Sequence, residues 1–174
     1  LPFSLSKNGN GTLTGPTNGQ LLELGKPYVL KATPTAGNLF SNWIVSGQSV
    51  TGATLNVTMS SNLTVVANFV PSPFPGLKGA YTGLFHPATS DPPHEQSGYF
   101  TLVVTDKGTY TGKLLLNGRT LSISGTFGLD LSARKTVLRS GTNEIYVGLQ
   151  LSSGLDHVTG YVSNALWISD LFGY

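Results

Sequence analysis

Short runs of alternating apolar and polar residues, each ended by glycine, proline or asparagine, recur along the whole chain. In LTVVANF, residues 63–69, the apolar side chains of Leu63, Val65, Ala67 and Phe69 fall at every second position. A period of two places successive side chains on opposite faces of a β-strand. The 22 glycines and 10 prolines among 174 residues leave little room for long helices. The chain is therefore predicted to be all-β.

Residues 1–70 contain further runs of the same kind, with one irregularity. Phe40 and Trp43 are three positions apart, so this segment must bend or bulge to turn both rings inward. Large aromatic side chains dominate protein cores, and we interpret both rings as core instead of as a sugar-stacking platform. The other predicted core positions alternate cleanly: Tyr28, Leu30, Ala32, Leu55, Val57 and Met59.

An ordered set of small and apolar residues follows a glycine-rich first strand in this part of the chain: Leu30, Ala32, Pro34, Gly37, Phe40, Trp43, Met59, Asn62, Thr64, Val65, Ala67 and Phe69. Their order resembles the bacterial repeat domain related to the internalin B-repeat, over about residues 4–70. The resemblance implies a small module of the β-grasp type, which occurs in tandem in secreted and surface-anchored bacterial proteins. It provides no catalytic residue.

The composition changes at VPSPFPG, residues 70–76, which holds three prolines. Proline has no backbone N–H to give to a sheet, and proline-rich segments are extended and fairly stiff. We predict a β module over 1–70, a proline-rich linker over 71–76 and a second β module over 77–174.

The second module is predicted to be an antiparallel meander, a β-barrel or sandwich of about eight strands joined by short turns. Asn117-Gly118 is the strongest hairpin signal, because both residues tolerate positive φ. A second turn is predicted at Asp106-Lys107-Gly108. The predicted inward positions are Phe100, Leu102, Val104, Tyr110, Leu114, Leu116, Leu121, Ile123, Phe127, Ile145, Val147, Leu149 and Leu151.

Three sequence blocks of this module, GAYTGLF, SGYFTLVVTDKGTYTGKLLLNGRTLSISGTF and KTVLRSG with the later VTGYVSNALWISDL, keep a distinctive order of glycine, aromatic and arginine positions. They resemble a repeated module of large extracellular proteins of verrucomicrobia-like bacteria, over about residues 79–171. The resemblance implies no activity.

Composition argues against several classes of function. Without cysteine there are no disulfides, thiolate metal sites or cysteine nucleophiles. The ten lysines and arginines are scattered, so we expect no nucleic-acid partner. No apolar run approaches the roughly 20 residues of a membrane helix, so we expect no membrane insertion. The low charge and abundant Thr and Ser are typical of secreted or cell-surface bacterial modules, which is the expected location.

Known catalytic motifs are also missing. There is no GxSxG elbow, and no pair of carboxylates is marked as a glycosidase site. Asp156 and His157 are neighbours in a predicted strand, where they point to opposite faces. We therefore expect no catalytic residue, no cofactor and no enzymatic activity.

The stretch HPATSDPPHE, residues 86–95, gathers possible metal ligands in a predicted loop: His86, Asp91, His94 and Glu95. Their spacing matches no metal motif such as HExxH, and histidines in loops are commonly solvated. We interpret the stretch as a connecting loop that can face a partner, and we expect no bound metal.

Two functions are compatible with these patterns. The first is a structural or adhesive module of a larger bacterial surface or fibre-forming protein, with neighbouring modules or copies of the same chain as partners. The alternative is a module that binds a carbohydrate, another ligand or a cell-surface protein through exposed aromatics, with these candidates: Tyr81, Tyr99, Tyr110, Tyr146 and Trp167. Exposure of the rings distinguishes the two.

The terminal segments are expected to take part in assembly. ALWISDLF, residues 165–172, is weakly protected by charge, and LPFSLS, residues 1–6, has no evident role in its own module. Unpaired strand edges recruit other chains, so both segments are predicted to pair with a neighbouring module or chain.

Overall fold

The computed structural model describes residues 1–139, 143–154 and 156–174. Ser140 and Gly141, which belong to one of the repeat blocks quoted above, lie outside the described residues. The chain divides into two compact units, Leu1–Ser72 and Pro73–Tyr174. Both are built from strands, so the predicted all-β class is confirmed. No helix in the described ranges is long and apolar enough to cross a membrane.

The first unit packs two small sheets against each other. Its strands are β1 (Ser4–Asn8), β2 (Gly11–Thr14), β3 (Pro27–Pro34), β4 (Asn38–Val45), β5 (Gln48–Val50), β6 (Thr54–Thr58) and β7 (Thr64–Pro71). One sheet has the order β1-β7-β4-β5 and the other β2-β3-β6. The terminal strands β1 and β7 are parallel neighbours, whereas the other pairs are antiparallel.

The core of this unit follows the predicted alternation. Trp43 is fully buried, and its indole N–H donates to the Gly52 carbonyl at 3.0 Å. The register of β4 against β7 shifts between Phe40 and Asn42, which confirms the predicted bulge. The Phe40 ring is half-buried and lies 5.2 Å from that of Trp43, so both rings pack on the core.

A row of side-chain hydrogen bonds, the amide ladder, crosses the solvent face of the four-stranded sheet. The Asn8 amide donates to Asn68 Oδ1 at 2.9 Å, and the Asn68 amide donates to Asn42 Oδ1 at 2.9 Å. The Asn42 amide in turn donates to Ser49 Oγ at 2.8 Å. The ladder thereby joins β1, β7, β4 and β5 in one line.

The second unit is a single eight-stranded antiparallel sheet that curls into a barrel-like form, as predicted. Its strands are β8 (Gly79–His86), β9 (Gly98–Val104), β10 (Thr109–Leu116), β11 (Arg119–Thr126), β12 (Ser132–Val137), β13 (Ile145–Leu151), β14 (Val158–Ser163) and β15 (Ile168–Gly173). Asn117 and Gly118 both have positive φ, as the predicted hairpin requires.

Strand order shows how this sheet closes. Each strand pairs with its sequence neighbours except at β11 and β12, which form no ladder, and the first and last strands, β8 and β15, pair with each other. We call the interruption between β11 and β12 the seam. The barrel is therefore closed between its first and last strands, β8 and β15, and open between β11 and β12, which lie in the middle of its sequence.

The expectation that the terminal segments have no partner strand within their own units is wrong, and assembly through them stays a prediction. β15 lies between β8 and β14 and is paired on both edges. β1 pairs with β7, and the preceding Phe3 is buried in the core with only 1% of its surface exposed. Both terminal segments therefore belong to their own units: β15 lies inside its sheet, and β1 is the outermost strand of its own.

The segment predicted as a linker over 71–76 is largely folded. Pro71 ends β7, and Phe74–Gly76 forms a 3₁₀ turn. The Phe74 ring is buried 6.5 Å from that of Phe127, in the core of the second unit. This turn covers the end of the barrel where β8 begins.

Candidate functional site

The loop over residues 86–95 is held against the barrel end where β8 finishes. It leads into a 3₁₀ turn, His94–Gln96. The buried hydroxyl of Ser169 donates to the Gln96 carbonyl at 2.5 Å, and the Ser97 hydroxyl donates to the Pro93 carbonyl at 3.0 Å. These bonds fix the loop from inside and leave its outer surface to solvent.

The four possible metal ligands in this stretch are not all brought together. His86 and His94 line one depression, whereas Asp91 and Glu95 are exposed and do not line it. His86 Nδ1–H donates to the Pro87 carbonyl at 2.9 Å, which leaves Nε2 as an acceptor in the neutral ring. Over residues 1–139, 143–154 and 156–174, no three His, Cys, Asp or Glu side chains are grouped to hold a metal ion.

The depression beside this loop has a volume of about 570 Å³. Leu84, Tyr99 and Leu115 line it together with His94 and Asn117. None of the residues that line it is Lys, Arg, Asp or Glu. Its size and apolar floor are typical of small-ligand sites, and its polar groups are uncharged.

The floor continues as an apolar stripe across four strands. In the ladders Phe172 faces Leu84, Leu84 faces Tyr99, and Tyr99 faces Leu115. Their exposed fractions are 45%, 60%, 41% and 44%, whereas the next residues along each strand are buried. We call these four residues the apolar stripe. The neighbouring row on the same face is polar: Thr82, Thr101 and Lys113.

A second depression of about 350 Å³ adjoins the first. Both are lined by Leu84 and His86, and the second adds Asp170, Phe172 and Tyr174. The Phe172 and Tyr174 rings meet edge to face with centroids 4.9 Å apart. The two depressions therefore follow the apolar stripe from one end to the other.

The five predicted surface aromatics have different positions. Tyr81 and Tyr110 are 5% and 2% exposed, so they belong to the core and not to an outer face. Burial raises the pKa of both hydroxyls, and the charge of Asp156 adds to the effect at Tyr81. Tyr99 and Tyr146 are exposed and Trp167 is half-buried, and of the five only Tyr99 lies in the apolar stripe.

Tyr146 lies on β13, away from the stripe. Its hydroxyl donates to Glu144 Oε2 at 3.0 Å. This bond to a carboxylate, together with the carboxylate's charge, raises the pKa of Tyr146. Tyr146 is as exposed as Tyr99 and is therefore a matched control for it.

The stripe residues Leu84, Leu115 and Phe172 were not predicted as site residues. Each occupies an outward position of its strand, one residue out of step with the core residues. This alternation could have identified the three as exposed apolar residues. The alignment of the three with Tyr99 depends on ladder register, which the sequence does not specify.

One serine–histidine contact lies outside this surface. Ser152 Oγ is 2.9 Å from His157 Nε2, within the turn between β13 and β14. The Ser152 amide also donates to the His157 carbonyl at 3.3 Å. In the described part of the chain no carboxylate bonds to this imidazole, so the third member of a catalytic triad is missing. The contact closes a hairpin.

Comparison with known proteins gives a family match for the first unit. No curated protein and no solved structure matches the chain. The resemblance of residues 79–171 to an extracellular repeat accordingly stays a prediction. Residues 2–73, which correspond to the first unit, match the family model of the divergent InlB B-repeat domain.

Proposed function

We propose that this chain is a non-catalytic structural and adhesive part of a larger bacterial protein that is secreted or held at the cell surface. The observation that carries the proposal is the match of residues 2–73 to the divergent InlB B-repeat domain, a family typical of cell-surface proteins. A module of this kind spaces or displays its neighbours, and it needs neither cofactor nor active site.

The packing of both units supports this role. Each unit has its own core, and most of the large aromatic rings are used to fill those cores. Low charge and the absence of cysteine mean that β packing alone provides stability. Neighbouring modules or further copies of the chain are the proposed partners, and they would meet its faces or the open edges of strands such as β1, β5, β11 and β12.

The location is tested with an antibody raised against the purified chain. We expect intact cells of the source organism to be labelled as strongly as lysed cells. Labelling that appears only after lysis would contradict the proposal. The non-catalytic role is tested with a broad panel of hydrolase and transferase substrates, with and without EDTA. Turnover that disappears on substitution of a single acid or histidine would overturn it.

The apolar stripe favours a second candidate function, the binding of an uncharged saccharide chain. The stripe is one residue row wide, about 7 Å along the strands, and about 15 Å long across them. This shape is too narrow for the apolar core of a protein–protein interface, but it fits a linear polymer. A sugar ring has an apolar face and hydroxyl groups along its edge. The apolar face matches the Tyr99 ring, and the hydroxyl groups match His86 Nε2 and Asn117 beside that ring.

Affinity electrophoresis through gels that contain a neutral β-glucan, xylan, mannan or galactan tests this candidate. We expect at least one polymer to retard the chain and Tyr99→Thr to abolish the retardation, while the equally exposed control Tyr146→Thr keeps it. Threonine suits a strand, so both variants should fold. No retardation by any of the four, or equal loss in both variants, would exclude it. If Tyr99→Thr instead dissolves a dimer in sedimentation, the stripe is a contact between chains.

A further inference from the structure

We infer that the two units respond differently to tension along the chain, so that the first bears load and the second yields. A module of a larger surface protein is pulled through the two ends of its unit. The resistance of a β unit depends on how that pull crosses the hydrogen bonds between its terminal strands. The inference gives the proposed structural role a mechanism and rests on that role for its biological meaning.

In the first unit the terminal strands are parallel neighbours. Their ladder runs in register from Ser4 beside Thr64 to Asn8 beside Asn68. Tension pulls β1 from its amino end and β7 from its carboxyl end, which are opposite ends of this ladder. The two strands are therefore driven past each other, and the ladder hydrogen bonds share the load and must fail together.

Further contacts reinforce this shear geometry. The Asn8 amide adds a side-chain bond to Asn68 at the far end of the ladder. Phe3 precedes β1 and is buried, so sliding β1 draws an aromatic ring out of the core. The Phe3 amide donates to the Gln20 carbonyl at 2.9 Å, and the Leu22 amide donates to the Leu1 carbonyl at 2.9 Å. Release of β1 thus breaks main-chain, side-chain and core contacts together.

In the second unit the terminal strands are antiparallel neighbours. β8 pairs with β15 from Gly83 beside Gly173 to His86 beside Asp170. Tension acts on the amino end of β8 and the carboxyl end of β15, and these two ends lie side by side. Tyr174 and Thr82 exchange amide-to-carbonyl bonds of 2.7 and 3.0 Å at this end. These bonds open first, and the others follow one pair at a time.

Sequential opening needs less force than simultaneous rupture, because each step breaks one or two bonds of modest net strength. The Phe74 ring and the bond from the Tyr81 hydroxyl to the Leu77 carbonyl, 2.7 Å long, lie at the loaded end and give way early. Once β8 separates from β15, the barrel gains two new free edges besides those of β11 and β12, and no ladder holds it closed, because the seam has none. The second unit should therefore unfold at a several-fold lower force.

Single-molecule pulling of the whole chain between its ends tests this inference. At about 3.6 Å per extended residue, unfolding releases roughly 350 Å from the second unit and roughly 250 Å from the first. The two events are thus identified by length. We expect the longer release first, at low force, and the shorter release later, at high force. The reverse order, or equal forces, would overturn the inference.

Changing the pulling direction provides a matched control, because the chain has no cysteine and handles can be placed at will. Handles at Asn10→Cys and Pro73→Cys pull the same end of β1 and β7 and should lower the force on the first unit. Handles at Thr89→Cys and the carboxyl terminus pull opposite ends of β8 and β15 and should raise the force on the second. If the unfolding force of each unit does not change with the pulling direction, the mechanism is refuted. A failed force test leaves the surface-labelling result untouched, so the two proposals are judged separately.

Discussion

Tyr161 lies directly across from Gly148 in the ladder between β13 and β14, and its ring occupies the space where a Cβ of Gly148 would stand. An added Cβ would be 2.2 Å from the ring. Gly148 is buried, although its missing side chain would point outward. An aromatic ring that covers a strand glycine shields the backbone and restores apolar packing at a residue with no side chain.

Gly148→Ala should therefore destabilise the second unit by about 1 kcal/mol, because the Tyr161 ring must leave its position. Denaturant unfolding measures this change. In a Tyr161→Ala background the same substitution should be neutral or stabilising, since alanine restricts the unfolded chain and no ring is displaced. Equal costs in both backgrounds would show that the two residues are not coupled.

Tyr110→Phe should stabilise the protein. The Tyr110 hydroxyl is buried and forms no hydrogen bond with any described residue. Removing a buried polar group that has no protein partner should raise the free energy of unfolding by about 1 kcal/mol. Thermal and urea unfolding at neutral pH provide the measurement. A clear loss of stability would mean that the hydroxyl is satisfied in solution.

Alkaline pH should unfold the second unit through its buried tyrosines. Burial raises the pKa of Tyr110 above the ordinary value of 10.0, so the unfolded chain loses this proton first. The stability that depends on the protonated hydroxyl is complete below pH 10.0 and is lost as the pH rises towards the folded-state pKa. Tyr110→Phe should weaken this pH dependence, and an unchanged dependence in that variant would contradict the prediction.

Ser132→Ala should raise the pKa of Asp130. The Ser132 hydroxyl and amide donate to the Asp130 carboxylate at 2.8 and 3.1 Å, and these two bonds hold its pKa below the usual 3.8. The stabilisation they provide is present above that pH and is lost as the pH falls through the folded-state pKa. Carboxyl titration by NMR measures the pKa in both proteins. An unchanged pKa in Ser132→Ala would assign the effect to the remaining backbone amide of residue 132 or to Arg134.

Asn68→Ala should destabilise the first unit by about 1 kcal/mol, because it removes two of the three bonds of the amide ladder. The matched control is Asn56→Ala, an exposed asparagine on β6 whose loss should stay within about 0.5 kcal/mol of neutral. Chemical denaturation compares the two. Equal effects would mean that the ladder adds nothing beyond the preference of each strand position.

Local patterns predicted the elements whose geometry is set by a few adjacent residues. The Asn117-Gly118 hairpin, the bulge near Phe40 and the inward faces of β7 and β9 all follow from turn chemistry or a period of two. β12 was not recognised because Lys135 takes an inward position between Ala133 and Val137, which hides the alternation. An inward charge also protects a strand that has one unpaired edge.

The same local patterns could not predict which strands pair when they are distant in sequence. β1 joins β7 across most of the first unit, and β15 joins β8 across the second, although their sequences resemble free edges. The candidate surface was missed for the same reason, because Leu84 and Phe172 become neighbours only through that second pairing. Of the predicted surface aromatics, Tyr110 was also assigned an inward position by its period of two, and that inward position is the correct one.

The seam divides the second unit into two halves, each continuous in sequence. β8 to β11 form one four-stranded meander and β12 to β15 the other, joined covalently only through residues 127–131. A cut between Leu129 and Asp130 crosses no strand, and Leu129 is exposed. The resulting fragments would still share the ladder from β8 to β15 and a common core. The unit is therefore suited to reassembly from two separately expressed polypeptides, with each half acting as a template for the other.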